Sequence, residues 1–347
     1  MKKGTVMKSD DKYTGFSGVR IATCKYGENA WQAPAYLYST GTHDPLALDR
    51  FVVLEGTPPS YNNWVDIDRI LQTASHVAGG YAINKNVGTA IAIGVKHGNP
   101  CGAAAGPDRA EVLAKMMAGD PLAIFGGLVM ANFEVDESLC GVLAGKMLDG
   151  IIAPAFTSGA IAMLRRKSDK CRFIMNSALS GLSDTKMDQI PRFRYVRGGF
   201  LVQPNYTFIP TFSGEGIKKY GTATPMQECD LLLAWAVGST SNSNTITLVK
   251  NEQLIGNGVG QQDRVGAAQL AITRARRSGH DVTGAVAYSD SFFPFPDGPQ
   301  ALIDAGVAAI FTSSGSVKDQ LTIDVCEKHS VALYMVPDKT GRGFFGH

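Results

Sequence analysis

The stretch "AIAIGVKHGNPCGAAAG", residues 90–106, runs from a smooth apolar segment into Lys96-His97 and then into turn-forming residues ending in Gly102. Small and β-branched residues alternate through "VGTAIAIGVKH" (87–97), which predicts a buried strand. A lysine and a histidine at that strand's C-terminal end enter the crevice where open α/β sheets bind ligands. There an imidazole can exchange a proton near neutral pH, and an ammonium can stabilise a developing oxyanion or a phosphate. The plainer alternative is a solvated Lys96 and a His97 bonded within its own loop. The dipeptide alone does not separate the two.

Outward from this strand the chain alternates. "FVVLEG" (51–56) reads as a strand, and "NWVDIDRILQTASHVAGG" (63–80) as a helix stopped by Gly79-Gly80. "PDRAEVLAKMMAGD" (107–120) reads as a helix with proline at its start and Gly119 at its end, followed by the strand "GLVMANF" (127–133). The C-terminal part repeats the alternation. It has helices at 227–239, 261–279, 297–306 and 317–330, a hairpin at 244–258, and strands at 284–290, 307–313 and 331–336. The expected class is α/β with mixed sheets. The less periodic stretch 180–210 places a soft boundary, giving a lead-in over 1–20 and sub-domains over 21–190 and 191–347. The helices share no fixed period, so a solenoid is not expected.

Composition narrows the function classes. With 347 residues, 44% of them hydrophobic, the chain divides into about two cores. Its longest apolar runs are too short to cross a bilayer, and "MKKGTVMKSDDKYTG" lacks an apolar core of signal-peptide length, so a cytoplasmic protein is expected. The net charge of +2, without basic blocks interleaved with aromatics, leaves no footprint for a nucleic acid. Six scattered cysteines without a CxxC pair read as reduced thiols. "HGNPCGAA" departs from the zinc-deaminase pattern, lacking both the glutamate after His97 and the second cysteine, so no catalytic metal is expected. "LIGNGVG" offers G-x-G-x-G where a dinucleotide loop needs G-x-G-x-x-G; the glycines read instead as a close backbone approach. In "SDSFFPFPDG" (289–298) the phenylalanines fill a core corner or wall a flat heteroaromatic ligand, oriented by Asp290 or Asp297.

Several segments then fall into one order: "KYGENAWQ" (25–32), "PSYNNWVDID" (59–68), "VKHGNPCG" (95–102), "DPLAIFGGLVMANFEVD" (120–136), "DGIIAPAF" (149–156), "GGFLVQ" (198–203), "SNTITLVKNEQLIGNGVGQQDRV" (243–265), "SDSFFPFPDG" and the terminal "FFGH". Together they resemble the AICAR transformylase part of the bifunctional purine-biosynthesis enzyme family. The resemblance implies two cytidine-deaminase-like α/β/α sub-domains, a homodimer with shared active sites, and formyl transfer from 10-formyltetrahydrofolate to the 5-amino group of aminoimidazole carboxamide ribotide (AICAR). It implies no counterpart of the IMP cyclohydrolase domain here, so that another protein would close the ring. By matching residues, it makes His97 the proton acceptor, Lys96 the charge stabiliser and Asn244 the residue that keeps substrate and His97 in register. Lys25, Tyr26, Asn63, Asp149, Phe292, Arg342 and His347 match substrate-binding positions. Phe125, Gly126, Arg264, Pro294, Phe295 and Asp297 match the region that receives the folate. A structural potassium ion near the "SNS" segment (241–243) belongs to the same resemblance.

The departures cluster near the substrate. The family pattern R-Y-G-x-N-P-H-Q is here Lys25-Tyr26-Gly27-Glu28-Asn29-Ala30-Trp31-Gln32, so Lys25 keeps the charge without the guanidinium fork, and Trp31 stands where a histidine is usual. The R-x-F-x-H ending becomes "RGFFGH", which matches Arg342 only with a one-residue slip. These changes motivate one alternative, a paralogue that formylates a different amine; a catalytically silent nucleotide- or folate-binding regulator is a second, against which the intact Lys96, His97 and Asn244 argue.

Overall fold

The computed structural model describes residues 14–85, 89–182 and 187–346. Most of the expected lead-in, and His347, lie outside them. The N-terminal half contains Val19–Cys24 (β1), Ala35–Ser39 (β2), Val52–Glu55 (β3), Tyr61–Lys85 (α1), Ala90–Lys96 (β4), Asn99–Gly106 (β5) and Arg109–Ala118 (α2). It continues through Leu128–Ala131 (β6), Cys140–Leu143 (α3), Gly150–Ala153 (β7), Ser158–Leu164 (α4) and Arg172–Met175 (β8). A small hairpin, Arg192–Val196 (β9) and Gly199–Gln203 (β10), precedes Lys218–Tyr220 (β11), Pro225–Ser239 (α5), Ile246–Lys250 (β12), Gln253–Gly258 (β13) and Arg264–Arg277 (α6). The chain closes with Val286–Ser289 (β14), Asp297–Asp304 (α7), Ala309–Ser314 (β15), Asp319–Lys328 (α8), Ala332–Pro337 (β16) and Asp338–Gly341 (α9).

Twelve of these strands form one mixed sheet in the order β11-β16-β15-β14-β12-β13-β5-β4-β6-β7-β8-β3. The order reads as two runs of six strands on one plan. Each run has an antiparallel hairpin at its inner end (β4-β5, β12-β13), then three strands, then an antiparallel edge strand. The runs meet where β13 lies antiparallel to β5, with Gln253 opposite Ala104. The α/β class and mixed sheet expected from the alternation are therefore present.

The helices fit this plan for local reasons. α5 is apolar all round, and every residue from Asp230 to Ser239 is buried, as a helix sandwiched inside a fold must be. Its start carries a capping box between Thr224 and Gln227. It packs against α1, which runs on through Gly79 and Gly80 to Lys85 instead of stopping there. The missing side chain explains the extension: a Cβ on Gly80 would lie 3.2 Å from the Trp235 ring of α5, so glycine serves helix-helix approach here. The strands at the join need glycine for the same reason. A Cβ on Gly102 of β5 would collide with the Met116 carbonyl of α2, and a Cβ on Gly258 of β13 with the Ala267 carbonyl of α6. Gly256 and Gly258 of the G-x-G-x-G run thus form a close-approach surface, while its third glycine, Gly260, meets open space and serves a positive φ of 68.

The turn in the opening stretch also moves. "NPCG" does not turn; it opens β5. The reversal is made by His97 and Gly98, whose φ values of 54 and 69 are both positive, as a two-residue type I′ hairpin requires, with Lys96 paired to Asn99. A bulge, where Gly94 opposes Gly102 and Val95 opposes Pro100, absorbs the proline that a regular ladder would reject. The second hairpin turns the same way through Asn251 and Glu252, both at positive φ. Each turn is tied by a buried aspartate. Asp66 of α1 accepts the Gly98 N–H at 2.7 Å, and Asp230 of α5 accepts the N–H groups of Asn251 and Glu252 at 3.0 and 2.5 Å.

Burial pushes the Asp230 carboxyl up to about 6, against the pull of those two N–H groups. Between the unfolded value near 3.9 and this native value, the native state holds a proton that the unfolded chain has released. Stability therefore falls as pH rises through that window, by at most about 3 kcal/mol from this group. Thermal melts from pH 4 to 7 should show this slope in the parent chain and a flatter one in Asp230→Asn.

All six cysteines are free, and no described helix is long and apolar enough to cross a membrane.

Candidate active site

Lys96 ends β4 with its ammonium bonded to the Phe125 carbonyl and 5.7 Å from the centre of the Phe125 ring. Gly126 follows at φ +70, and the position its Cβ would take lies 3.7 Å from Lys96 Nζ and 4.0 Å from Asp149 Oδ1. An ammonium, a carboxylate and a bare backbone segment thus converge on one spot. Asp149 is placed there by the chain leading into β7: its N–H bonds the Gly127 carbonyl at 2.9 Å, and its own carbonyl accepts from Arg172 Nη1 at 3.0 Å.

His97, at the exposed tip of the hairpin, is held through its backbone. Asn99 Nδ2 donates to its carbonyl at 3.1 Å, and Asp66 grips the neighbouring Gly98 N–H. Burial pushes the Asp66 carboxyl up, while the Gly98 N–H and the nearby His97 and Arg69 draw it back. The tip opens on a cleft of about 430 Å³ over the β5-β13 join, which Lys96, His97, Asn99 and Asn257 line together with Asp120, Arg274 and Arg277. Cys101, in the same wall, is a protonated thiol, pushed up to about 12 by burial.

Asn244 reaches this tip through its neighbours. The Asn242 N–H donates to Asn99 Oδ1 at 3.4 Å. Asn244 itself exchanges backbone hydrogen bonds with Gln261 at 3.1 Å in both directions, and its Nδ2 donates to the Gln261 carbonyl at 2.9 Å. The intervening Ser243-Asn244 peptide is cis. Ser243 Oγ donates to fully buried Asp290 at 2.5 Å, and Asp290 in turn faces Arg264 Nη2 at 3.4 Å. Arg264 is the first residue of α6, whose start Asp263 caps. Arg342 pairs with Asp338 at 3.7 Å, and Asp338 accepts from Ser313 at 2.7 Å.

The remaining expected residues lie around these two groups. The 25–34 loop is closed by Gly27 N–H to the Gln32 carbonyl at 2.8 Å, and Asn62 Nδ2 ties it to the head of α1 through the Glu28 carbonyl at 3.3 Å. Lys25 is exposed, Tyr26 half-buried, and Trp31 stands 81% exposed. Asn63 is buried, its Oδ1 accepting from the Ser60 N–H and hydroxyl at 2.9 and 3.0 Å in a reciprocal cap of α1. Phe292 is half-buried beside core Phe293. Pro294, Phe295 and Asp297 are exposed, with Lys318 Nζ 4.0 Å from the centre of the Phe295 ring. Among the described contacts, none joins Arg264, Phe295, Asp297 or Arg342 to Lys96 or Asp149.

Sequence reasoning passed over Asp66, Arg69 and Asn99. The first two are charged residues three apart on α1, each followed directly by a buried isoleucine, Ile67 and Ile70, a spacing that turns them toward the same interior.

The family model described as "AICARFT/IMPCHase bienzyme" matches residues 2–274. Proteins named "Bifunctional purine biosynthesis protein PurH" align along nearly all of the chain. The one from Anoxybacillus flavithermus is 34% identical over 331 residues, 95% of this chain and 60% of the relative. Those from Aquifex aeolicus and Cutibacterium acnes are 32% and 33% identical, covering 94% and 100% of this chain. The chain thus spans about 60% of the length of the curated relatives it matches. By the family model's match over most of its length, this chain belongs to the AICARFT/IMPCHase bienzyme family.

Proposed function

We propose that the chain is a folate-dependent formyltransferase of purine biosynthesis, moving the formyl group of 10-formyltetrahydrofolate to the 5-amino group of AICAR. The observation that carries this reading is the linkage of Lys96 and His97, at the tip of one hairpin, through Asn99 and Asn242 to the loop of Asn244. An amine conjugated to an imidazole-carboxamide is a poor nucleophile, so proton removal, alignment and charge stabilisation must coincide. In this reading the amine nitrogen bonds to the formyl carbon as the bond from that carbon to N10 of the donor breaks. His97 takes the amine proton and passes it to N10 as the tetrahydrofolate leaves, while Lys96 offsets the charge on the formyl oxygen. Asn244 keeps the acceptor in line. Lys25, Tyr26, Asn63, Asp149, Phe292 and Arg342 hold the ribotide. The exposed rings of Phe125 and Phe295, with Gly126, Arg264, Pro294 and Asp297, offer flat apolar faces and a carboxylate suited to a pterin.

No described contact joins those groups within one chain, which supports a homodimer sharing its sites; in this reading the protein works in the cytoplasm. The β9-β10 hairpin supports it further. Its Tyr195 and Leu201 are exposed, while Phe193 and Phe200 are partly covered by the Phe16 ring of the same chain, and a two-stranded hairpin outside the main sheet is marginal in water. A second copy is the occupant this reading assigns to it. In this reading the chain has two cytidine-deaminase-like sub-domains, divided near residue 190, and the repeated plan of the two six-strand runs supports it. Asp290 and Ser243 supply hard oxygen donors suited to a structural potassium ion, and no step runs through it.

A steady-state assay with 10-formyltetrahydrofolate and AICAR tests the reading. Tetrahydrofolate release matched by formylated ribotide is expected. Folate binding without transfer to AICAR would instead favour a different amine, the reading that Lys25 and Trp31 motivate.

A further inference from the structure

α1 carries Asp66, Arg69 and Thr73 on one face, three and four residues apart, in a helix whose surroundings are otherwise mostly apolar. Asp66 is 8% exposed and Arg69 4%. Burying charge is costly unless each group finds partners, and these find theirs on two chain segments distant in sequence. Asp66 holds the Gly98 N–H of the His97-Gly98 turn at 2.7 Å. Arg69 donates from Nη1 to the Thr240 carbonyl, and Thr73 Oγ1 meets Thr240 Oγ1 at 2.7 Å. The Arg69 guanidinium also lies 3.0 Å from the centre of the Phe345 ring, whose opposite contact is the Arg192 guanidinium at 3.4 Å. Phe345 in turn braces the loop: its N–H bonds the Ser241 carbonyl at 2.8 Å, and the Ser243 N–H bonds the Gly346 carbonyl at 3.0 Å.

We propose that Asp66 and Arg69 are a positioning pair, one helical turn apart, that sets the distance between the His97 turn and the Asn244 loop. Neither lines the cleft, so both act through the segments they hold. Because α1 is a single rigid element, a shift at either residue moves one segment against the other, and misplacement of about 1 Å can cost about 100-fold in rate. The catalytic part of the proposal rests on the formyl-transfer reading; the positional part does not.

The test uses the full chain with Asp66→Ala, Asp66→Asn and Arg69→Lys, measuring kcat, KM for both substrates, thermal melts, and hydrogen exchange over residues 96–99 and 240–244. Asp66→Ala is expected to speed exchange at the Gly98 amide and lower kcat by about 10- to 100-fold, with both KM values within about threefold. Asp66→Asn keeps an acceptor oxygen and should recover most of both. Arg69→Lys keeps the charge but loses the planar face over Phe345, and should lower kcat by about 10-fold with faster exchange in 240–244. A folded Asp66→Ala with parent kcat and parent Gly98 exchange, or a loss that Asp66→Asn does not recover, overturns the proposal. Should Asp66→Ala not fold, parent kcat and exchange in Arg69→Lys overturn it. A parent chain with no formyl transfer defeats the functional reading instead, and the exchange data still decide whether the pair positions the two segments.

Discussion

His97→Ala is expected to lower kcat for formyl transfer by about 100-fold or more, with KM for AICAR and folate changed only a few-fold. The reason is division of labour. The imidazole stands exposed at the tip of a hairpin whose fold is held by other atoms: the Asp66 carboxylate on Gly98, the Asn99 amide on the His97 carbonyl, and the β4-β5 ladder. In the proposed formyl transfer, removing the ring deletes the proton acceptor without removing any of those ties, so melting behaviour should be preserved. Lys96 keeps its bond to the Phe125 carbonyl and its place beside Asp149, leaving charge stabilisation in place. Positive φ at residue 97 is tolerated less easily by alanine than by glycine, so His97→Gly serves as a control for backbone effects. Parent-level kcat in both variants would sink the proton-transfer role.

Gly258→Ala should give the largest loss of stability, about 3 kcal/mol, seen as a drop of roughly 5 °C or more in melting midpoint. The added methyl would enter the Ala267 carbonyl of α6, a backbone atom that no rotamer change moves aside. The strain falls beside the β5-β13 join, where the two six-strand runs meet and where Asn257, next in line, donates to the Pro100 carbonyl at 3.0 Å. Gly102→Ala, against the Met116 carbonyl of α2, should behave alike from the other side of the join. Gly141→Ala is the contrast: a helical glycine with open space around its would-be Cβ, where alanine is expected to be neutral or mildly stabilising. Equal melts for Gly258→Ala and Gly141→Ala would mean that the join accommodates bulk.

Much of the fold was legible because its cues are local. β-branched alternation marked β4, periodic apolar residues ending at Gly119 marked α2, and the strand-helix alternation of the C-terminal part appears nearly element for element. The misplacements share one cause. Gly79-Gly80 reads as a helix stop only if Trp235 is out of view, and "NPCG" reads as a turn only if the pairing of Lys96 with Asn99 is unknown. In both places a partner far along the chain decides what the glycine or proline does.

For the site, residue type and position at a strand's end drew attention to Lys96 and His97, whereas Asn244 entered only with the family resemblance. Which of them meet was not readable: Asn99 joins Asn242 across 143 residues, and Arg69 joins Thr240 across 171. By itself the sequence determined the α/β class, the strand ending in Lys-His and the family to which the chain belongs, since these rest on short-range periodicity and on residue identity. Only the tertiary structure decided the His97-Gly98 turn, the glycine-lined join of the two strand runs and the buried Asp66-Arg69 face. Those depend on hydrogen bonds and close approaches between segments whose proximity exists only once α1 and α5 have packed together against the sheet.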